Sequence, residues 1–168
     1  LEGLVQNNLG ELARVRGDYL AAGEHYQTSL RLLKDTDRRS DIPRLLHNLG
    51  FVALHSGETH AALEYFAQSL DLYHAQQLRG TVEVLAGLAC VAVTRGKPIL
   101  AARLWGATTA AWERMAIRAW LPDQIEHNHY LAIARSACDH NAFAAAWAAG
   151  ATLTLEQALT EACAPGVL

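Results

Sequence analysis

The 168 residues are 51% apolar and 18% charged, with a net charge of −3. That much apolar side chain excludes a disordered tail. The mixed, nearly balanced charge excludes a surface built as a whole to grip nucleic acid or an anionic membrane. No apolar run reaches the length of a membrane span, and no basic segment followed by an apolar one opens the chain. Leu1 runs straight into a helical pattern without an initiator Met, which leads us to expect a fragment of a longer protein.

In chain order, apolar residues at helical spacing predict helices over 1–16 and 18–33, with Gly17 between them. A second pair is expected over 41–56 and 58–75, with Gly57 between, and a third over 79–95 and 98–115, with Gly96 between. Each of these glycines follows the last periodic residue of a first helix, where a left-handed C-cap calls for Gly. The pairs are copies of one another. NLGELARVRGDYLAAGEHYQTSL (8–30) aligns on NLGFVALHSGETHAALEYFAQSL (48–70) at an offset of forty, and GLACVAVTRGKPILAARLWGATT (87–109) follows thirty-nine further on. A repeat at such a period means stacked supersecondary units.

Gly10 and Gly50 stand in mid-helix, where Gly costs about 1 kcal/mol relative to Ala. A close helix crossing would justify them, with Ala22, Ala62 and Ala101 as the small residues opposite. On this reading Gly50 should accept Ala but not Leu. Tyr26, Phe66 and Trp105 would fill the space between successive pairs. Between the first two pairs, Lys34, Arg38, Arg39 and Arg44 interleave with Asp35, Asp37 and Asp41, which reads as a solvated turn. In the last third, Pro122 and Asp123 suit the first turn of a helix running to about Asp139. An Ala-rich helix over 141–149 would end at Gly150, and Thr154 with Gln157 makes a capping box for a helix over 155–163.

Small residue, Ala twelve on, aromatic four further and small three further is the tetratricopeptide-repeat pattern. Gly10-Ala22-Tyr26-Ser29, Gly50-Ala62-Phe66-Ser69 and Ala89-Ala101-Trp105-Thr108 all fit it. The chain departs from the family in having Ala13, Ala53 and Ala92 where an aromatic is usual and in lacking the terminal proline. The longer, forty-residue form resembles the tetratricopeptide-like sensor arm of large bacterial signal-transduction ATPase transcriptional regulators. The last third (AARLWGATTAAWERM, LPDQIEHNHYLAIARSAC, AFAAAWAAGATLTLEQALTEA) is similar to the segment that closes many of them. The fold expected is all-α: a right-handed α-solenoid of three tetratricopeptide-like helix pairs (about 1–37, 38–77 and 78–115) with C-terminal capping helices over 116–168.

The eight histidines form no metal-ligand spacing. His127 and His129 are two apart and face different sides of a helix, His55 and His60 straddle the Gly57 turn, and no H-E-x-x-H occurs. There is no phosphate-binding glycine loop. Cys90, Cys138 and Cys163 form no C-x-x-C and read as reduced, buried residues of a cytosolic protein. Trp120, in a connection, reads either as a packed lid or as an exposed contact.

The expectation is therefore a non-enzymatic module without cofactor or metal, acting through the concave face lined by the first helices. Its candidate binding residues are Asn7, Asn8, Glu11 and Arg14, then Arg44, His47, Asn48, Phe51 and His55, then Glu83, Cys90 and Thr94. The resemblance implies that Asn8 and Asn48 hydrogen-bond a bound peptide's backbone, for which an amide offers both donor and acceptor. Expected partners are a protein or peptide segment, other domains of the parent chain or a small effector, with no direct nucleic-acid or membrane contact; a homo-oligomer is compatible. The alternatives are a structural oligomerisation arm without a ligand and a small-molecule enzyme using the histidines.

Overall fold

The computed structural model describes residues 1–34, 39–76 and 80–168. The expected turn residues Asp35, Asp37 and Arg38, and the repeat boundaries near 37 and 77, lie outside the described residues. Every regular element among those described is helical. In order they are α1 (Glu2–Val15), α2 (Tyr19–Lys34), a 3-10 turn (Arg39–Asp41), α3 (Ile42–His55), α4 (Thr59–Ala75), α5 (Thr81–Thr94), α6 (Pro98–Met115), α7 (Leu121–Ser136), α8 (His140–Ala151) and α9 (Leu155–Ala162). None is long and apolar enough to cross a membrane. The all-α expectation holds.

The chain forms two compact units, Leu1–Thr81 and Val82–Leu168. Repeat register alone divides it at 115/116, a line that falls inside the second unit.

In the first unit, α1 packs on α2 and α3 on α4, and the two pairs stack through α2 and α3. This is the helix-pair stacking of an α-solenoid. Ala22, Tyr26 and Leu33 of α2 share one core cluster with Leu45 and Leu49 of α3. Gly17 and Gly57 have φ of 78° and 76°, as does Gly96 of the second unit at 69°. At all three the next amide returns to the first helix: Asp18 N–H to Ala13 O at 2.9 Å, Glu58 to Ala53 at 2.9 Å and Lys97 to Ala92 at 2.8 Å. That six-to-one bond, with the glycine N–H bonded one residue further on, is a Schellman stop.

The mid-helix glycines have a more specific reason than a close crossing. A Cβ on Gly10 would lie 2.5 Å from Tyr26 Cε1, and one on Gly50 would lie 2.6 Å from Phe66 Cε1. Each glycine is the seat of the aromatic ring from its own second helix, and both rings are fully buried. The expectation that Gly50 accepts Ala is corrected accordingly, because the Phe66 ring occupies the methyl's place. The small residues after these rings contribute more than size. Ser29 Oγ donates to Gly3 O at 2.6 Å and Ser69 Oγ to Pro43 O at 2.7 Å, so each pins the first turn of its partner helix. In the third copy Thr108 instead donates to Leu104 O, within its own helix.

In the second unit, α6 packs against α8 and also touches α7 and α9. A Cβ on Gly106 would meet Trp147 O at 2.1 Å, and one on Gly150 would meet Arg103 O at 1.8 Å. The two helices therefore cross backbone on backbone. Gly150 is not the C-cap expected from sequence but lies inside α8, which runs on to Ala151. Arg103 Nε donates to both oxygens of Glu161 at 2.7 and 2.9 Å, fixing α9 on α6, and Lys97 Nζ holds Val167 O at 2.6 Å. The Thr154–Gln157 capping box forms as expected.

Candidate functional site

The first helices of the first unit carry a connected polar row. Arg14, one turn before the Gly17 stop, is 2% exposed, and its Nη1 donates to Asn48 Oδ1 at 3.0 Å. Its guanidinium stands 5.1 Å from the centre of the Phe51 ring, on whose electron-rich face a cation is favoured. Asn48 Nδ2 reaches Asn7 Oδ1 at 3.4 Å, and Asn7 Nδ2 donates to Glu11 Oε1 at 3.2 Å. The same Glu11 oxygen pairs with Arg44 Nη2 at 2.5 Å. Helical spacing explains the row: residues 7, 11 and 14 of α1 fall on one face, as do 44, 48 and 51 of α3. The α1 face looks onto α3.

Among the expected binding residues, the structure brings together Asn7, Glu11, Arg14, Arg44, Asn48 and Phe51, and it divides them by depth. Arg14, His47, Asn48 and Phe51 are buried. His47 meets Phe51 edge-on at 5.1 Å and Phe66 at 5.5 Å. These four hold the helices in register and present no surface to a ligand. Asn7 and Glu11 are half-buried, while Asn8 and Arg44 are exposed. The Asn8 side chain makes no hydrogen bond among the described residues. His55 stacks flat on Tyr19, with ring centres 3.6 Å apart.

Glu83, Cys90 and Thr94 lie on α5, in the second unit. Thr94 Oγ1 donates to Val91 O at 2.9 Å. Cys90 is fully buried; its burial, then the carboxylates of Glu126 and Asp123, push the thiol well above its ordinary value. A thiol held neutral is a poor nucleophile. Cys163, expected to be buried, is exposed, and Cys138 is half-buried. Trp120, for which two readings stood open, is 57% exposed just before α7.

Sequence reasoning missed a group in the second unit. Asp123, Glu126 and His127 are all buried on α7, and the His127 ring lies 5.4 Å from that of Trp112. A cleft of about 230 Å³ opens beside His127, lined also by Trp112, Ile117, Arg118, Gln124 and Asn128 among others. The spacing 123, 126, 127 on one helix was the available signal, since it places all three on one side of α7. Among the described residues no group of three or more His, Cys, Asp or Glu side chains is placed to hold a metal ion.

This geometry defines stacked helix pairs with a polar face on the first helices. A family model described as tetratricopeptide repeat matches residues 2–75, the span of α1 to α4. The photosystem I assembly protein Ycf3 of Rippkaea orientalis is 37% identical over 71 residues, which cover 42% of this chain and 39% of that protein. The chain thus matches well under two thirds of that relative's length. No solved structure matches the chain.

Proposed function

We propose that the chain is a non-catalytic protein-interaction and sensor module of a bacterial cytosolic regulator. In this reading the repeats span about 1–37, 38–77 and 78–115, and the helices over 116–168 cap them. The face of the first helices takes a protein or peptide segment, another domain of the parent chain or a small effector.

The observation that carries the reading is the layered polar row. Buried Arg14 and Asn48 fix α1 against α3 from beneath, and Asn7, Glu11 and Arg44 stand above them in one strip. Side chains already held by neighbours lose less freedom on binding, so such a strip is preorganised for a partner. The Asn7 amide can donate to and accept from a peptide backbone, while the Glu11–Arg44 pair offers one charge of each sign. The match of residues 2–75 to the tetratricopeptide repeat supports protein binding. The relative named as an assembly protein is compatible with a role in holding other proteins. The regulatory setting rests on the resemblance of the long repeat and of residues 116–168 to the arms of bacterial signal-transduction ATPases.

A photo-crosslinking amino acid placed at Arg44, and separately at Gln68 on the outward side of α4, tests the face. Cells of the native host should yield a defined protein adduct from position 44 and none from position 68. Adducts from position 68 alone would move the function to the other side of the helix pairs.

A further inference from the structure

Three apolar side chains of α1 lie open on one side of the helix: Val5 is 50% exposed, Leu9 39% and Leu12 47%. Val15, 38% exposed, continues the stripe by one turn. A contiguous apolar stripe on a helix surface marks a contact that is missing. The repeat register identifies the contact. Forty residues on, Val5, Leu9 and Leu12 become Leu45, Leu49 and Val52 of α3. Leu45 and Leu49 are 1% and 2% exposed, buried in the cluster that Ala22, Tyr26 and Leu33 of α2 complete, with Val52 packed against it. The corresponding residues of α5, Val84, Leu88 and Val91, are likewise buried. Of three equivalent stripes, the one on α1 is open.

We propose that this stripe seats the second helix of a further helix pair, stacked in line ahead of α1 and joined to it at the Leu1 end. The chemistry of the occupant follows from α2, which covers the equivalent stripe on α3. It presents two small residues side by side (as Ala22 and Gly23), an aromatic about one turn on (as Tyr26) and leucines one and two turns beyond (as Leu30 and Leu33). The small residues are needed because a Cβ on Gly23 would already stand 3.2 Å from Val52 Cγ1. α2 ends at Lys34 and α3 begins at Ile42, so a second helix of this kind ends near the start of the helix it covers. A second copy of the chain has no such face to offer, since Ala22, Tyr26, Leu33, Ala62, Phe66 and Leu70 are all buried in its own fold. The stripe lies on a different side of α1 from Asn7, Glu11 and Arg14, whereas Asn8 borders it: its counterpart Asn48 is 2% exposed, so the added pair would cover Asn8 and leave Asn7, Glu11 and Arg44 open.

The test supplies the missing pair. Residues 1–40 are duplicated ahead of Leu1, which by the forty-residue register reproduces the junction between α2 and α3. The extended protein should unfold at a midpoint raised by about 5 °C or more over the 168-residue chain, because repeat stability grows with each neighbour contact. Leu9→Asp, made in the original copy, should abolish that gain. In the 168-residue chain the same change should leave helicity intact, and that chain should sediment as a monomer at tens of micromolar. A midpoint that does not rise, or a gain that survives Leu9→Asp, would overturn the proposal. So would self-association of the 168-residue chain that Leu9→Asp removes, which would give the stripe to a second copy.

Discussion

Gly50→Ala tests the packing logic most sharply, because propensity and packing predict opposite signs. In an exposed helix the change would stabilise by about 1 kcal/mol. Here the new methyl carbon would lie 2.6, 2.7 and 2.9 Å from Cε1, Cζ and Cδ1 of Phe66. The ring has nowhere to go. It is fully buried, edge-on to Phe51 at 5.4 Å and to His47 at 5.5 Å, so relief requires moving three rings or separating α3 from α4. Overpacking of this kind costs about 1–3 kcal/mol, and three ring carbons under 3 Å place it toward the upper end. The expected net effect is a loss of about 1–2 kcal/mol, read by equilibrium urea unfolding. The same change in a Phe66→Leu background should instead recover stability, since the obstructing ring is gone. Gly50→Ala stabilising the otherwise unchanged protein would refute the seating of Phe66 on Gly50.

Gly150→Ala should be worse than Gly50→Ala in the same assay, because its Cβ would meet the Arg103 carbonyl oxygen at 1.8 Å and backbone cannot rotate aside. Ser69→Ala should cost about 0.5–1.5 kcal/mol, the net worth of the hydroxyl bond to Pro43 O, because that carbonyl keeps its helical N–H donor. A thiol reagent at pH 8 should label Cys163 quickly and Cys90 only on unfolding. Because the folded thiol of Cys90 titrates above its ordinary value of 9.0, its contribution to stability is present below that pH and is lost as pH rises past it. The decline above pH 9 should flatten in Cys90→Ala.

The parts of this fold legible in sequence are those written locally. Gly17, Gly57 and Gly96 were readable as helix stops because only a left-handed residue closes that turn, and Thr154 with Gln157 because the capping box lies within one turn. Gly10 and Gly50 were readable as close approaches, but whether the neighbour was an alanine or the Tyr26 or Phe66 ring depends on how the paired helices rotate. Gly150 was misread for a related reason. Near the end of an Ala-rich run it imitates a C-cap, whereas the contact that requires it comes from Arg103, far away in the chain. The register did bring Asn7, Glu11, Arg14, Arg44, Asn48 and Phe51 to one place. It could not separate exposed from buried members, because Arg14 and Asn48 are sunk by stacking between repeats, which no single repeat encodes.

The measurement that bears most directly on the proposed binding face uses the partner identified from the Arg44 crosslink. Its dissociation constant would be measured for the unchanged protein, Glu11→Ala, Arg44→Ala and the double variant. Arg44 is 46% exposed and an ion pair in that setting is worth about 0–1 kcal/mol to the fold, so the thermal midpoint should hardly move. If the strip meets the partner, affinity should fall tenfold or more, equivalent to about 1.4 kcal/mol, and the double variant should lose at least as much as either single change. An unchanged dissociation constant in all three variants, with folding intact, would contradict a binding site on the α1 and α3 face.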